Sequence, residues 1–201
     1  MPWVRRPLQG ALLFVFLGGC LATLGCDQRG LRRMQGGSRA HAGAQGLPAP
    51  GAVLSGRVVG VSDGDTVKVL VGHEELKIRM IGIDAPEKAQ PFGKVAKQAL
   101  SDRIFGREVG VQVKGRDRYG RVLGKLLLDG MDVNLAQIRD GLAWHYADYA
   151  KDQFPGDADR YAQTEREAKA AGVGLWQDRD PMPPWRWRRV RKADREEGEG
   201  R

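Results

Sequence analysis

Cysteine is almost absent from this chain. The sequence holds two cysteines, Cys20 and Cys26, and both lie near its beginning. Because a disulfide needs two cysteines, no disulfide can cross-link any segment beyond residue 26 to another part of the chain. Any domain that follows must therefore be stabilised by packing alone.

Histidine is also scarce, with three residues in the whole chain: His41, His73 and His145. Their spacing matches neither a metal-binding cluster nor a nucleophile–histidine–acid triad. We interpret them as incidental. Any metal or acid–base chemistry would then have to use oxygen-bearing side chains.

Long hydrophobic runs are missing as well. The apolar run at residues 11–17 is too short to span a bilayer. It follows Arg5 and Arg6, and a charged start before a short apolar run is typical of an export signal. The segment 17–20, which ends in Cys20, resembles the cleavage box of bacterial lipoproteins, and the segment ending in Cys26 is a poorer second candidate. We expect the protein to be exported from a bacterial cell and held at the cell envelope by an N-terminal lipid; the alternative is plain secretion.

The net charge of +8 is distributed unevenly along the chain. Residues 53–178 carry equal numbers of acidic and basic side chains, and the excess of Lys and Arg lies in residues 1–52 and 179–201. Binding of a polyanion therefore cannot be inferred from the net charge. It would have to depend on local clusters, such as the arginines of residues 116–121.

Composition divides the chain into four segments. Residues 1–26 form the predicted signal peptide, of lipoprotein type. Residues 27–52 are rich in Gly, Ala, Arg and Gln without an apolar period, which predicts a flexible tether. Residues 53–178 are long enough for one domain with a single core. Residues 179–201 form a tail that is first basic and aromatic, then acidic.

The domain alternates short runs of β-forming residues with apolar residues at helical spacing. In the valine runs around residues 67–71 and 109–113, every second residue is a valine, as expected for strands with one buried face. We predict strands at 53–61, 67–71, 75–83, 108–114 and 121–128, and helices at 92–104, 135–142 and 158–168. Three strands, a helix, two strands and two helices favour an α+β fold built on a five-stranded OB-type barrel.

Acidic residues cluster at the ends of two predicted neighbouring strands. Asp63-Gly64-Asp65-Thr66 enters the second strand, and Asp84-Ala85-Pro86-Glu87 follows the third. Each motif alone is typical of a turn. Because adjacent strands bring their ends together, we expect Asp65 and Asp84 to share one oxygen-rich pocket. Such ligands suit Ca²⁺ or Mg²⁺ and not zinc.

Three motifs together resemble the staphylococcal nuclease (thermonuclease) family. They are Asp-Gly-Asp-Thr at 63–66, Arg79 with Pro86-Glu87 after six intervening residues, and Asp117-Arg118-Tyr119-Gly120-Arg121. The similarity extends from about residue 53 to 176. It includes Gln90-Pro91-Phe92-Gly93, Asn134, Gly141-Leu142-Ala143 and Leu175-Trp176.

The resemblance implies a calcium site and a catalytic base. Asp65, Asp84 and the backbone carbonyl of Ala85 would bind Ca²⁺, and Glu87 would act on the attacking water. Ala85 stands where the staphylococcal enzyme has threonine. A carboxylate within hydrogen-bond reach of a water can accept its proton, which gives an independent reason for the role of Glu87.

The resemblance also implies the groups that bind the substrate. Arg79 and Arg121 would hold the scissile phosphate, since a planar guanidinium matches two phosphate oxygens. Arg118 and Tyr119 would contact a phosphate and a sugar or base. The implied activity is calcium-dependent hydrolysis of DNA and RNA that leaves 3′-phosphate ends, by a monomer with no protein partner.

A non-catalytic OB-type module that binds nucleic acid is the alternative function. Loss of Glu87 or of either arginine would have favoured it, whereas the presence of all of them favours the enzyme. For the tail, the absence of an apolar period predicts a loosely attached extension. Its tryptophans and arginines alternatively offer stacking and phosphate contacts for single strands.

The predicted lipid anchor is testable by replacing both cysteines. The double variant Cys20→Ser/Cys26→Ser should be released as soluble, active protein, because multiple acyl chains on a lipoprotein cysteine give the stable membrane attachment. Detergent partitioning of the exported protein measures this. A wild-type protein that is already soluble after export would indicate plain secretion.

Overall fold

The computed structural model describes residues 48–199. The predicted signal peptide and nearly all of the predicted tether, including both cysteines, lie outside the described residues. Among the residues that are described, none of the helices combines the length and apolar character needed to cross a membrane.

The described segment contains eight strands and four α-helices. The strands are β1 Val53–Val61, β2 Thr66–Val71, β3 Glu74–Met80, β4 Ile83–Asp84, β5 Glu108–Arg116, β6 Val122–Leu128, β7 Met131–Asp132 and β8 Trp144–His145. The helices are α1 Gly93–Ile104, α2 Val133–Arg139, α3 Asp157–Ala171 and α4 Pro184–Glu199. Two short 3-10 helices cover Ala147–Asp152 and Gly174–Gln177.

Five of the strands close into a barrel. β1 pairs antiparallel with β2 and β5, β2 pairs with β3, and β5 pairs with β6. The parallel pairing of β3 with β6 joins the two ends of this sheet. The predicted α+β fold with a five-stranded OB-type barrel is confirmed.

The barrel interior is filled by the alternating residues that the sequence indicated. Val67 and Val69 of β2, and Val109, Val111 and Val113 of β5, are at most 1% exposed. Helix α1 adds its own buried face to this core, with Ala96, Leu100 and Ile104. Burial of each large aliphatic side chain contributes about 1.5–3 kcal/mol, so packing supplies the stability that no disulfide can.

The third strand is shorter than predicted. β3 ends at Met80 and not at residue 83, because the chain turns at Ile81 and Gly82 before β4 begins. Gly82 has φ 75°, and a Cβ there would lie 2.9 Å from the Tyr161 ring. Because of this turn, Arg79 does not share a strand face with Ile81 and Ile83.

The prediction of a loosely attached tail was wrong for residues 184–199, which form α4. The sequence lacks an apolar period there because this helix docks through a few individual contacts. The Trp185 ring stacks on the Tyr146 ring, with centroids 5.4 Å apart and planes 5° apart. Helices α1, α2 and α3 lie where the helical spacing placed them.

Asn134 links helix α2 to the barrel. It is fully buried; its side-chain oxygen accepts from the backbone N–H of Leu126 at 3.1 Å, and its amide nitrogen donates to the carbonyl of Ile81 at 2.9 Å. The second bond fixes the turn between β3 and β4. Asn134 therefore positions the segment that leads from Arg79 to Asp84.

Asn134→Ala should destabilise the protein by about 2–4 kcal/mol, because it leaves two buried backbone groups without partners. Urea denaturation measures the loss. Gln163→Ala, which removes an exposed amide from α3, is the matched control and should change the stability by less than about 0.5 kcal/mol. Equal stability of both variants would contradict the role of Asn134.

Candidate active site

One cavity of about 670 Å³ collects the residues that the sequence singled out. All eight candidate site residues line it: Asp65, Arg79, Asp84, Ala85, Glu87, Arg118, Tyr119 and Arg121. Neither histidine nor cysteine is among the lining residues.

Strand pairing brings these residues to the same end of the barrel. Thr66, the first residue of β2, lies opposite Arg79 of β3, so Asp65 comes next to the end of β3. The parallel pairing of β3 with β6 sets Arg79 opposite Leu123, which places Arg121 at the same edge. The turn after Met80 then returns the chain to Asp84.

Arg79 connects two backbone carbonyls and two carboxylates at this end of the barrel. Its Nη1 donates to the carbonyls of Met80 at 2.7 Å and Ile83 at 2.9 Å. Its Nη2 lies 2.8 Å from Asp84 Oδ1 and 3.2 Å from Asp65 Oδ2. Three of its five N–H groups are thus hydrogen-bonded within the protein, and its charge also pairs with Asp65. Arg79 therefore fixes the two aspartates relative to each other.

Asp65 is a buried carboxylate that shares the positive charge of Arg79 with Asp84. Burial raises its pKa to about 7; Arg79 opposes this rise, whereas Asp63 and Asp84 add to it. Thr66 Oγ1 donates to one of its oxygens at 3.0 Å, and the Ala85 backbone N–H donates to the other at 2.7 Å. A nearby cation would favour the ionised form of this group.

The donor set fits a hard divalent cation that takes few ligands from protein side chains. Within residues 48–199 there is no group of three or more His, Cys, Asp or Glu side chains placed to hold a metal. Asp65 and Asp84 nevertheless approach the same Arg79 nitrogen, so their oxygens are close together. Backbone carbonyls and water would complete a calcium shell of six to eight oxygens. No N–H among the described residues donates to the Ala85 carbonyl, which leaves that oxygen available.

Glu87 extends into the cavity from the turn after β4. Its backbone N–H donates to Gln90 Oε1 at 3.1 Å, and its carbonyl accepts from the Gln90 backbone N–H at 2.8 Å. Its side chain is 41% exposed. The backbone is thus held by Gln90 while the carboxylate remains accessible to water.

Arg121 is oriented by Asp117 at the start of the same loop. Asp117 accepts from Arg121 Nε at 2.7 Å and from the backbone N–H groups of Arg121 and Tyr119 at 3.0 and 2.9 Å. Desolvation raises the pKa of Asp117, but these hydrogen bonds outweigh it and lower the pKa below its usual value. Within residues 48–199, Nη1 and Nη2 of Arg121 have no hydrogen-bond partner, so the outer edge of the guanidinium can receive a ligand.

Arg118 and Tyr119 form the exposed rim of the cavity. Arg118 Nη2 donates to the Tyr119 hydroxyl at 2.7 Å, and the Tyr119 ring, 69% exposed, lies 4.9 Å from the Arg118 guanidinium carbon. An exposed aromatic face beside a cation is suited to contact a base and a phosphate.

Comparison with known proteins gives the family of this fold and site. Residues 77–178, about half of the chain, match the family model described as Staphylococcal nuclease homologue. The chain belongs to this family. Two of the three motifs that suggested the resemblance, at residues 79–87 and 117–121, lie within the matched segment.

Relatives in this family cover most of the domain. The chain is 41% identical to a Haemophilus influenzae protein named "Uncharacterized endonuclease" over 69% of this chain and 75% of that protein. It is 40% identical to "Protein ParB" of Escherichia coli over 73% and 86% of the respective chains. It is 42% identical to "Micrococcal nuclease" of Shigella flexneri over 68% and 82%. The cavity therefore belongs to a domain of this nuclease family.

Sequence reasoning missed several residues at the cavity of this nuclease homologue. It assigned no role to Asp117, although aspartate at the start of a loop commonly binds backbone N–H groups two or more residues later. It also gave no role to Tyr146 or Arg188, which line the cavity from the position after β8 and from α4. Arg188 is distant in the sequence, so no local pattern pointed to it.

Arg79→Lys should weaken calcium binding roughly 10- to 100-fold, because an ammonium group cannot reach two carbonyls and two carboxylates together. It should also lower the thermal midpoint. Calorimetric calcium titration and thermal unfolding measure the two effects.

Arg107→Lys is the matched control, since Arg107 makes only an exposed ion pair with Asp129 at 3.2 Å. Unchanged calcium affinity and midpoint in Arg79→Lys would show that its bonds do not organise the site.

Proposed function

We propose that this protein is a calcium-dependent nuclease that hydrolyses phosphodiester bonds in DNA and RNA and leaves 3′-phosphate ends. One observation carries the proposal. A single cavity contains two aspartates that are ion-paired with Arg79 and the partly exposed Glu87. It also contains Arg121, whose outer guanidinium nitrogens have no hydrogen-bond partner among the described residues.

Glu87 is the proposed general base. Its carboxylate lies at the cavity and is accessible enough to hydrogen-bond a water and to accept its proton. The water oxygen forms a bond to phosphorus, and the bond between phosphorus and the 5′-oxygen breaks. The 5′-oxygen leaves with a proton taken from solvent, and Glu87 later returns the proton of the attacking water to solvent, so the phosphate stays on the 3′ side.

Arg121 is the proposed phosphate clamp. Asp117 holds its Nε, so the two outer nitrogens point away from that bond and can donate to two phosphate oxygens. Negative charge on those oxygens grows in the transition state, and preorganised donors stabilise it. A calcium ion at Asp65 and Asp84 would add positive charge to the same oxygens when bound.

Arg79 supports this chemistry chiefly by organising the aspartates. Three of its N–H groups are hydrogen-bonded within the protein, and Nη2 also pairs with Asp65. Its charge still contributes at the phosphate, but it offers fewer unengaged donors than Arg121 does. The proposed clamp therefore depends more on Arg121 than the family resemblance alone implied.

The rim residues favour unpaired nucleotides as substrate. Tyr119 and Tyr149 are 69% and 51% exposed at the same cavity, and bases of any sequence stack on aromatic rings. Stacking and phosphate contacts are independent of the sugar, which agrees with action on both DNA and RNA.

Export and anchoring are part of the proposal. They are supported by the sequence of residues 1–26 alone, with its basic start, short apolar run and lipoprotein-like box ending in Cys20. An extracytoplasmic location at the cell envelope would expose the enzyme to nucleic acid outside the cytoplasm. The domain is proposed to act as a monomer.

Calcium should be required for cleavage. Purified protein incubated with labelled single-stranded DNA or RNA should cut both with Ca²⁺ and neither in excess EGTA, because the ion would supply positive charge at the phosphate and Asp65 and Asp84 offer the oxygen ligands that it prefers. Product ends should become extendable by a polymerase only after phosphatase treatment. Full activity in EGTA would refute the calcium requirement.

Glu87→Gln should lower the turnover about 10²- to 10⁴-fold, since an amide cannot accept the proton, while the thermal midpoint stays near that of the wild type. Glu75→Gln, which alters an exposed glutamate paired with Lys68, is the matched control and should remain active. Normal turnover of Glu87→Gln would show that Glu87 is not the general base.

A further inference from the structure

Helix α4 covers one side of the cavity, although it lies beyond the segment that matches the family model. Three contacts hold its beginning. Gln90 Nε2 donates to the Met182 carbonyl, and the Trp185 ring stacks on the Tyr146 ring. The rings of Trp185 and Trp144 lie at 74° to each other, with their centroids 5.8 Å apart. These contacts place the next turn of α4 beside the acidic residues.

Arg188 projects from that turn onto the two carboxylates at the centre of the proposed mechanism. Its Nη1 lies 2.8 Å from Glu87 Oε1, and its Nη2 lies 2.8 Å from Asp84 Oδ2. A longer contact of 3.3 Å joins Nη1 to Asp84 Oδ1. Desolvation lowers the pKa of Arg188, but these bonds outweigh it and raise the pKa, so the side chain stays charged.

The partners of Arg188 differ from those of the other two arginines. Arg79 is bound to backbone carbonyls, which stay in place when a ligand enters. Arg121 is anchored through Nε by Asp117. The described partners of Arg188 are side-chain carboxylates only, and its side chain is 43% exposed. Arg188 is therefore the cation that can exchange partners most easily.

Distances place Arg188 within reach of the scissile phosphate. Glu87 would hold the attacking water at about 2.6–3.2 Å, and that water must approach phosphorus to about 3–3.5 Å. The Arg188 guanidinium touches the same carboxylate. A small movement of this long side chain carries it from Glu87 to the phosphate oxygens.

The charge balance also favours this exchange. Six acidic side chains and four arginines line the cavity, so its formal charge is negative even with Arg188 in place. A divalent cation together with one phosphodiester leaves the cavity closer to neutrality with Arg188 than without it. The ion pair of Arg121 with Asp117 does not change this difference. Enclosed charges are least costly when they are balanced.

We propose that Arg188 is a third arginine for the scissile phosphate, beside Arg79 and Arg121. It pairs with Asp84 and Glu87 in the free protein and transfers to the substrate phosphate when metal and nucleic acid bind. The proposal rests on the nuclease function proposed above. Entry of a cation at Asp84 removes one partner of Arg188, and the phosphate replaces it. Glu87 is then free to act on water.

Cleavage kinetics and calcium binding of full-length variants test the proposal. Arg188→Ala should lower kcat/KM on a single-stranded oligonucleotide roughly 10- to 100-fold, the worth of one or two charge-assisted hydrogen bonds. Its calcium affinity, measured calorimetrically without substrate, should equal or exceed that of the wild type, because a competitor for Asp84 is gone. Arg188→Lys should recover part of the rate.

Arg189→Ala is the matched control, since it removes the same charge from the next, exposed position of α4. It should resemble the wild type in both measurements, and thermal unfolding checks that all variants fold. Equal or higher activity of Arg188→Ala would overturn the proposal, and a gain with tighter calcium binding would identify Arg188 as an obstruction to the metal. Lost activity with weaker calcium binding would also overturn it, because Arg188 would then only hold the carboxylates.

Failure of the nuclease function itself would be recognised separately. If the wild type does not cleave with calcium, fluorescence anisotropy of a labelled oligonucleotide still compares the variants in calcium buffer. Weaker binding by Arg188→Ala and not by Arg189→Ala would support phosphate contact by Arg188. Equal binding by both variants would overturn it.

Discussion

The guanidinium of Arg79 is the interaction on which the rest of this site depends. It joins the end of β3 to the start of β4 through two carbonyls and bridges two aspartates that come from different strands. Without that bridge, Asp65 and Asp84 would be neighbouring carboxylates in a poorly solvated place. Burial raises the pKa of Asp65 even with the bridge in place, so loss of Arg79 would further favour the neutral form of Asp65, which binds metal ions badly.

Three arginines of the cavity differ in the groups that hold them. Backbone carbonyls fix Arg79, a single aspartate orients Arg121, and side-chain carboxylates hold Arg188. Under the proposed function these attachments suit different tasks. The fixed cation would organise the metal ligands, the oriented one would present donors to a phosphate, and the one held by exchangeable partners would follow the substrate.

Much of this could be predicted from the sequence, because the signals were local. Alternating valines indicated β2 and β5, helical spacing placed α1 to α3, and turn motifs marked the strand ends that carry Asp65 and Asp84. The end of β3 was misplaced, since Ile81 and Ile83 continue an apolar alternation through a turn that Gly82 permits. Helix α4 was missed because its docking depends on single contacts such as Trp185 with Tyr146 and not on an apolar period.

The sequence by itself determined the family, the barrel and the eight candidate residues that line the acidic cavity, because motifs of a few residues carry that information. Only the tertiary structure decided the partners of each charge. Parallel pairing of β3 with β6 closes the barrel across more than 40 intervening residues, and Arg188 meets Asp84 from 104 positions away. Ion pairs of that separation depend on how whole elements pack, and residue order alone does not specify them.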